Sequence, residues 1–237
     1  MLGEEDLTLN LSTLLQESLY AIILFTWVMI IVSVVSKKLY DYMIKKGLPH
    51  NVAVYYNRKF IHVAAGGFVA FLVPYLFTTP IIPFILAMVL ATLTYIPHRK
   101  GKLMYWFQVE DNIFEVHFCM MWGIVIILAW IVFDGNFWYG VIPVLYMAVG
   151  DAVTGVVRNL LYKRRTKSWW GNLAMAIVCI PLGLKLGIAG ALSGALASIV
   201  EHFEFKFIDD NITVPLTAFL TILAFYVFMP HYATPLL

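Results

Sequence analysis

The chain has little charge, few cysteines and no stretch of low complexity. Only 13% of its 237 residues are Asp, Glu, Lys or Arg, against 62% hydrophobic, and the mean hydropathy is +0.84. A water-soluble domain carries about a quarter charged and about half apolar residues. An ordinary soluble globule is therefore excluded, and the apolar surplus has to face lipid. Two cysteines, Cys119 and Cys179, lie far apart in apolar runs and make neither a disulfide framework nor a zinc site. A net charge of +2 is too small to imply a nucleic-acid partner. No Walker loop, GxGxxG or HExxH occurs, which removes the standard soluble nucleotide-binding and zinc-protease motifs. No linker or internal repeat divides residues 1–237, so the chain reads as one transmembrane domain.

What is present is a series of apolar runs, about eight: Leu19 to Val35, Phe60 to Phe77, Ile81 to Ile96, Ile113 to Phe133, Phe137 to Val157, Leu173 to Leu184, Leu186 to Val200, and Ile212 to Met229. Most approach the roughly 20 residues that a helix needs to cross about 30 Å of hydrocarbon, which predicts an all-α polytopic membrane protein. The sixth and seventh are short. Joined as one straight helix they would carry Pro181, Gly183, Lys185 and Gly187 in the middle, which predicts a break or hairpin with both ends on one side. Counted as one re-entrant hairpin, the two would bring the number of membrane segments to seven. The first run follows Glu4, Glu5 and Asp6 and precedes no small-residue cleavage site, so it is expected to be a retained helix rather than a signal peptide.

Loops rich in Lys and Arg stay cytoplasmic. Lys37, Lys38, Lys45, Lys46, Arg58 and Lys59 fall in the first connection, Arg99, Lys100 and Lys102 in the third, and Arg158, Lys163, Arg164, Arg165 and Lys167 in the fifth. The alternate connections carry only Asp134, Lys185 and a Thr78-Thr79-Pro80 turn. The expectation is an outside amino terminus and an outside carboxyl terminus.

An ionisable side chain at the bilayer centre costs roughly 2.5–3.5 kcal/mol on insertion scales, so each one within a span is a functional candidate. Here they gather at the expected cytoplasmic ends: His62; Glu115 and His117; Asp151, with Thr154 and Arg158 on its face; Glu201, His202 and Glu204; then Asp209, Asp210 and Asn211. Some have plain structural readings. Arg58 and Lys59 could be positive-inside anchors, Asp210 or Asn211 a helix cap, and at least one of Glu115 and His117, two apart and so on different faces, an interfacial bystander. Asp151 resists such a reading, because no turn is expected there and Gly150 before it permits close approach of another backbone or a ligand. The fifth connection, running on through Thr166-Lys167-Ser168-Trp169-Trp170-Gly171-Asn172, combines cations, hydroxyls and a glycine at a helix start, which suits phosphate oxygens. The other reading is an anchor for anionic headgroups, with both tryptophans in the interfacial belt. Asp151, Asp210 and Glu201 could hold Mg²⁺ while Lys167, Arg164 or Arg165, and Arg58 neutralise a nucleotide's phosphates.

Four motifs in order, Arg58-Lys59-x-x-His62, Gly150-Asp151-Ala152, Lys167-Ser168-x-x-Gly171 and Asp210-Asn211-x-x-x-Pro215, resemble the polyprenol kinase family, which includes dolichol and phytol kinases and is distantly similar to the CDP-diacylglycerol synthases. The resemblance implies phosphorylation of the hydroxyl of a long isoprenoid alcohol, with CTP as donor and Mg²⁺ as cofactor. It implies Asp151 and Asp210 as metal or catalytic carboxylates, Lys167, Ser168, Gly171 and Asn211 near the nucleotide, and Arg58, Lys59 and His62 in the donor or hydroxyl site. Two positions depart from the pattern: Trp170 stands where the family often has a glutamate, and Val157-Arg158-Asn159 where it often has a further glycine. The alternatives are a cytidylyltransferase, in which a lipid phosphate attacks the α-phosphorus of CTP, and a transporter without turnover. The partners expected are the bilayer, the alcohol and the nucleotide; self-association is left open.

Overall fold

Lipid offers no hydrogen bonds, so an apolar run can cross it only by satisfying its own amides and carbonyls, and helix is the solution open to a single run. A computed structural model of the chain describes residues 11–162, 166–203 and 208–235. Arg164 and Arg165, expected to contact phosphate, lie outside the described residues, as do Lys163, Glu204 and the acidic Glu4, Glu5 and Asp6. Within them we number eight helices: α1 (Ser12–Lys45), α2 (His50–Leu76), α3 (Ile81–Lys100), α4 (Phe114–Val132), α5 (Trp138–Tyr162), α6 (Trp169–Gly183), α7 (Gly187–Val200) and α8 (Asp210–Phe228). Seven helical stretches are long and apolar enough to span a membrane, α6 and α7 counting together as Trp169–Val200. The chain is thus all-α among its described residues and polytopic.

The Trp169–Val200 stretch is not one rod. A short 3₁₀ turn at Leu184–Leu186 and Gly187, at φ +67°, reverse the chain, and a Cβ on Gly187 would also come within 3.0 Å of the Tyr232 carbonyl oxygen. Pro181 does not make the break; it lies inside α6. The arms return along each other in close contact, because helices in lipid associate through small residues and interhelical hydrogen bonds rather than apolar burial. A Cβ on Gly194 would stand 2.7 Å from the Cys179 carbonyl oxygen, and Tyr146 Oη on α5 donates to the Gly190 carbonyl at 2.8 Å. Lys167 and Glu201, at the two feet, touch each other. At the tip, Lys185 Nζ lies 5.0 Å from the centre of the Trp138 ring at the start of α5. The expected hairpin is therefore present, with both feet at one end of the bundle.

α5 is the most enclosed span. Beside it, α1, α2 and α5 each contain a π-helical stretch: Ile31–Val35, His62–Gly67 and Tyr146–Gly150. The stretch in α2 meets each of the other two. Such widenings occur often at functional sites; here one begins at His62 and another ends immediately before Asp151. Gly66 leaves space for the Phe118 ring, which stacks on His62 at 4.1 Å. Gly150 admits Cys179 Sγ, 2.5 Å from where its Cβ would be, so the close approach expected there is made by a side chain of the hairpin.

α1 is the least enclosed span; it buries Ala21, Leu24, Val28 and Ile31 and is also tied by hydrogen bonds. Trp27 Nε1 donates to the Ala64 carbonyl at 2.9 Å, Trp106 Nε1 to the Val32 carbonyl at 3.0 Å, and Glu17 accepts from the Thr78 amide and hydroxyl. The first connection is mostly helical: α1 runs on to Lys45 and α2 begins at His50, so Arg58 and Lys59 are helical residues rather than loop anchors.

Candidate functional site

Asp151 on α5 and Lys59 on α2 form a buried ion pair, with Lys59 Nζ donating to Asp151 Oδ2 at 2.5 Å. A lone carboxylate taken out of water costs several kcal/mol; Lys59 supplies the countercharge that allows Asp151 its depth. His62 Nδ1 lies 3.6 Å from the same oxygen. Gly155, one turn after Asp151, makes room for the pair: a Cβ there would come 2.8 Å from Lys59 Cε and 2.5 Å from Tyr55 Oη.

Arg158, two turns beyond Asp151, grips Glu201 with both arms of its guanidinium, Nη1 to Oε1 at 2.8 Å and Nη2 to Oε2 at 2.7 Å. Nη2 also donates to Asn172 Oδ1 at 2.8 Å, and Nε to the Ser168 carbonyl at 3.2 Å. Gly171 is glycine because a Cβ would lie 2.4 Å from Arg158 Nε; its role here is to admit that side chain. Lys167 Nζ donates to the Glu201 carbonyl at 2.7 Å and to Oε1 at 2.9 Å, and stands 3.5 Å from Asp210 Oδ2. Burial pushes the Glu201 carboxyl above the ordinary glutamate range, against the downward pull of Lys167 and Arg158.

Asp151, Glu201 and Asp210, the three carboxylates expected to hold a metal, converge: one oxygen of each lies within 4.8 Å of the other two. Hard oxygen donors suit Mg²⁺. Each is already engaged, however, and the four cationic side chains Arg58, Lys59, Arg158 and Lys167 face three carboxylates. A bare divalent ion would enter a site that is already neutralised, whereas an ion accompanied by a polyphosphate would keep the charges balanced. Those three carboxylates are the groups among the described residues that could hold a metal.

Two cavities meet here. A polar pocket of about 30 Å³ is lined by Tyr55, Arg58, Lys59, His62, Arg158, Thr166, Lys167, Glu201, Asp210 and Asn211; that volume takes a water molecule or an ion. An apolar groove of about 310 Å³ runs beneath α1, from Ala21, Val73 and Phe77 at one end to Arg58, His62 and Glu115 at the other. Arg58 and His62 line both. Asp151 lines neither, being set behind Lys59 and His62. The Arg58 guanidinium lies 4.3 Å from the centre of the Phe114 ring.

Several expectations need correction. The cap of α8 is Asp209, whose Oδ1 accepts from the Asn211 amide at 3.1 Å; Asp210 is thereby left to reach Lys167, while Asn211 Nδ2 donates to the Phe114 carbonyl at 3.2 Å. Glu115 and His117 do not pair with each other, as expected, and each has other partners: Glu115 meets His98 and Gln108, and His117 Nδ1 lies 2.9 Å from Asp209 Oδ2. Ser168 contributes its carbonyl to Arg158, and its buried hydroxyl has no partner among the described residues. Trp169 and Trp170 are exposed as belt residues should be, and Trp169 stacks on His202 at 4.0 Å. Sequence reasoning missed Tyr55 and the lock that Arg158 makes; a charge inside a span was signal enough to select Arg158, whereas nothing in the spacing marked Tyr55, while Thr166 lines the pocket as one of the hydroxyls expected of the fifth connection. No protein-family model, curated protein or solved structure matches the chain.

Proposed function

We propose that the protein is a lipid-alcohol kinase of the polyprenol kinase type, transferring the γ-phosphoryl group of CTP to the hydroxyl of a long isoprenoid alcohol at the cytoplasmic face. The observation that carries the reading is the meeting of an apolar groove and a cation-rich polar pocket at Arg58 and His62. A greasy substrate and a charged one need such a boundary, and phosphoryl transfer needs their reacting atoms held in line.

In this reading the tail lies in the groove and the hydroxyl comes to His62. His62 takes the hydroxyl proton, oriented by the Asp151 carboxylate behind it, the pairing of base and orienting acid that activates weak nucleophiles elsewhere. The alcohol oxygen forms a bond to the γ-phosphorus as the bond to the β–γ bridging oxygen breaks, and CDP leaves. Mg²⁺, held by Asp151, Glu201 and Asp210, would neutralise charge on the transferring group. Lys59 and Lys167, which balance these carboxylates in the structure described, turn to the phosphates as the donor binds. The polar pocket must widen for this, since its present volume suits an ion. Arg58 faces both substrates. The basic ends of α1 and α3, with Lys37, Lys45, Arg99 and Lys100, stand at the same end as the site, which supports its cytoplasmic placement.

CTP labelled at the γ- or the α-phosphorus, incubated with purified protein and geranylgeraniol, dolichol or phytol, tests the reading. Lipid carrying only the γ-label is expected. Lipid carrying the α-label from a lipid-phosphate substrate would make the protein a cytidylyltransferase, and lipid movement in proteoliposomes without nucleotide turnover would overturn an enzyme altogether.

A further inference from the structure

The apolar groove is bounded in length. At its polar end stand Arg58 and His62; at the other the lining stops at Ala21 on α1, Val73 on α2 and Phe77 just after α2, all three buried. One turn before Ala21, on the same face of α1, Glu17 turns inward. It is buried, and its Oε1 accepts from the Thr78 amide at 2.7 Å and from the Thr78 hydroxyl at 2.6 Å. Thr78 follows Phe77 directly, so the two hydrogen bonds tie α1 to the turn after α2 across the far end of the groove. An acidic residue in a span is a functional candidate because of what it costs in lipid, and Glu17 has no part in the ion-pair network at the other end.

The separation of the two ends can be set against the length of a tail. Along α1 the lining runs from Ala21 to Ser33, a rise of about 18 Å, and along α2 from His62 to Phe77, about 20 Å once the π-helical stretch is allowed for. An extended carbon chain advances about 1.25 Å per bond, from bonds of about 1.5 Å meeting at near-tetrahedral angles. A twenty-carbon prenyl alcohol, with sixteen carbons along its main chain, therefore reaches about 19 Å. Its hydroxyl comes to His62 as its last isoprene unit meets Phe77. A ten-carbon alcohol fills about half of that length. A forty-five-carbon tail reaches more than twice as far and has to turn out of the groove sideways, past a helix bonded at Glu17, Trp27 and Val32. Apolar burial alone does not separate these alcohols, because each tail exchanges lipid for an equally apolar wall; fit to the length does.

We infer that the groove is a slot of fixed length, closed at its far end by the Glu17–Thr78 hydrogen bonds, and that it selects prenyl alcohols of up to about twenty carbons, with Ala21 and Phe77 meeting the end of the tail. The inference deepens the proposed function and rests on it for the hydroxyl head and its place at His62. Of the alcohols named there, geranylgeraniol and phytol match the slot and dolichol overruns it.

The test is binding to the purified full chain in nanodiscs without nucleotide, with tritiated geranylgeraniol displaced by unlabelled prenyl alcohols of ten, fifteen, twenty and forty-five carbons. Affinity is expected to rise up to the twenty-carbon alcohol and to fall by about ten-fold or more at forty-five, the scale on which apolar pockets separate ligands of different size. Glu17→Ala, which unfastens the far end, should bring the longest alcohol close to the twenty-carbon one. Ala21→Phe, which shortens the slot, should move the optimum to fifteen carbons. Equal wild-type affinity for twenty and forty-five carbons overturns the inference whether or not any variant folds, as does a folded Glu17→Ala protein that keeps the full discrimination. The assay contains no phosphoryl donor, so a protein with this length profile that never phosphorylates defeats the kinase reading alone, and one that phosphorylates the forty-five-carbon alcohol as readily as geranylgeraniol defeats this inference alone.

Discussion

Lys59 and Asp151, 92 positions apart in the chain, meet at 2.5 Å in the interior of the bundle, and the pair closes off Asp151 from both neighbouring cavities. The depth of Asp151 makes it conspicuous in the sequence; its partner is what makes that depth tolerable.

Asp151→Asn is therefore expected to abolish turnover and also to destabilise the protein, by about 3–5 kcal/mol, because Lys59 would be left charged and unpaired. Adding Lys59→Met should restore most of the stability and none of the activity. Denaturant or thermal unfolding in detergent, alongside phosphoryl transfer, separates the two effects; full activity in folded Asp151→Asn would remove the residue from the mechanism.

Arg158→Lys keeps the charge and loses the fork onto Glu201. The expected cost is about 1.5–3 kcal/mol, the worth of a charge-assisted hydrogen bond, and it should appear first as protease sensitivity at the feet of the α6–α7 hairpin. Unchanged proteolysis would mean that the fork does not hold the hairpin down.

Gly150→Ala drives a methyl group to 2.5 Å from Cys179 Sγ and should cost about 1–3 kcal/mol by overpacking. Combined with Cys179→Ala, the double variant should be more stable than the sum of the singles predicts. Strict additivity would show that the strain is relieved elsewhere.

Val69 lies on the wall of the apolar groove. Val69→Trp should raise KM for a twenty-carbon alcohol by about ten-fold or more while leaving that for CTP unchanged, the pattern of a lost uniform binding interaction. A ten-carbon alcohol should be spared. Equal effects on both alcohols would place the tail elsewhere.

Membrane orientation is open to direct labelling. Cysteines at Lys45 and Lys102 should react only from the cytoplasmic side of sealed vesicles, and cysteines at Asp134 and Lys185 only from the other. The native Cys119 and Cys179 are respectively half-buried and buried, so background should be low. The opposite pattern would turn the site outward.

The membrane class and the helix count were legible because hydropathy acts over some twenty residues and does not depend on neighbours. The hairpin was legible from glycines and a lysine in mid-run, although its turn falls at Leu184–Leu186 rather than at Pro181. The convergence of Asp151, Glu201 and Asp210 was legible too, since charges in lipid must find one another. Which cation meets which carboxylate was not. Lys59 and Lys167 look alike along the chain; the packing of α2 against α5 brings one to Asp151, and the meeting of the hairpin's feet brings the other to Glu201. The cap at Asp209 was missed because three consecutive polar residues offer equivalent oxygens, and backbone direction alone chooses among them. The His98–Gln108–Glu115 clamp joins a helix end, a loop and a helix start, and has no periodic signature.

The widened turns of α1, α2 and α5 also limit how this chain can vary over time. Losing one residue between Tyr146 and Val149 would tighten that turn and swing everything from Asp151 to Tyr162 by about 100° around the helix axis. Asp151, Thr154 and Arg158 would rotate as a set away from Lys59, Gly171 and Glu201. Relatives of this protein should accept many exchanges of side chain within these stretches yet almost never a single-residue gap, and a library of one-codon deletions would find its least tolerant sites there.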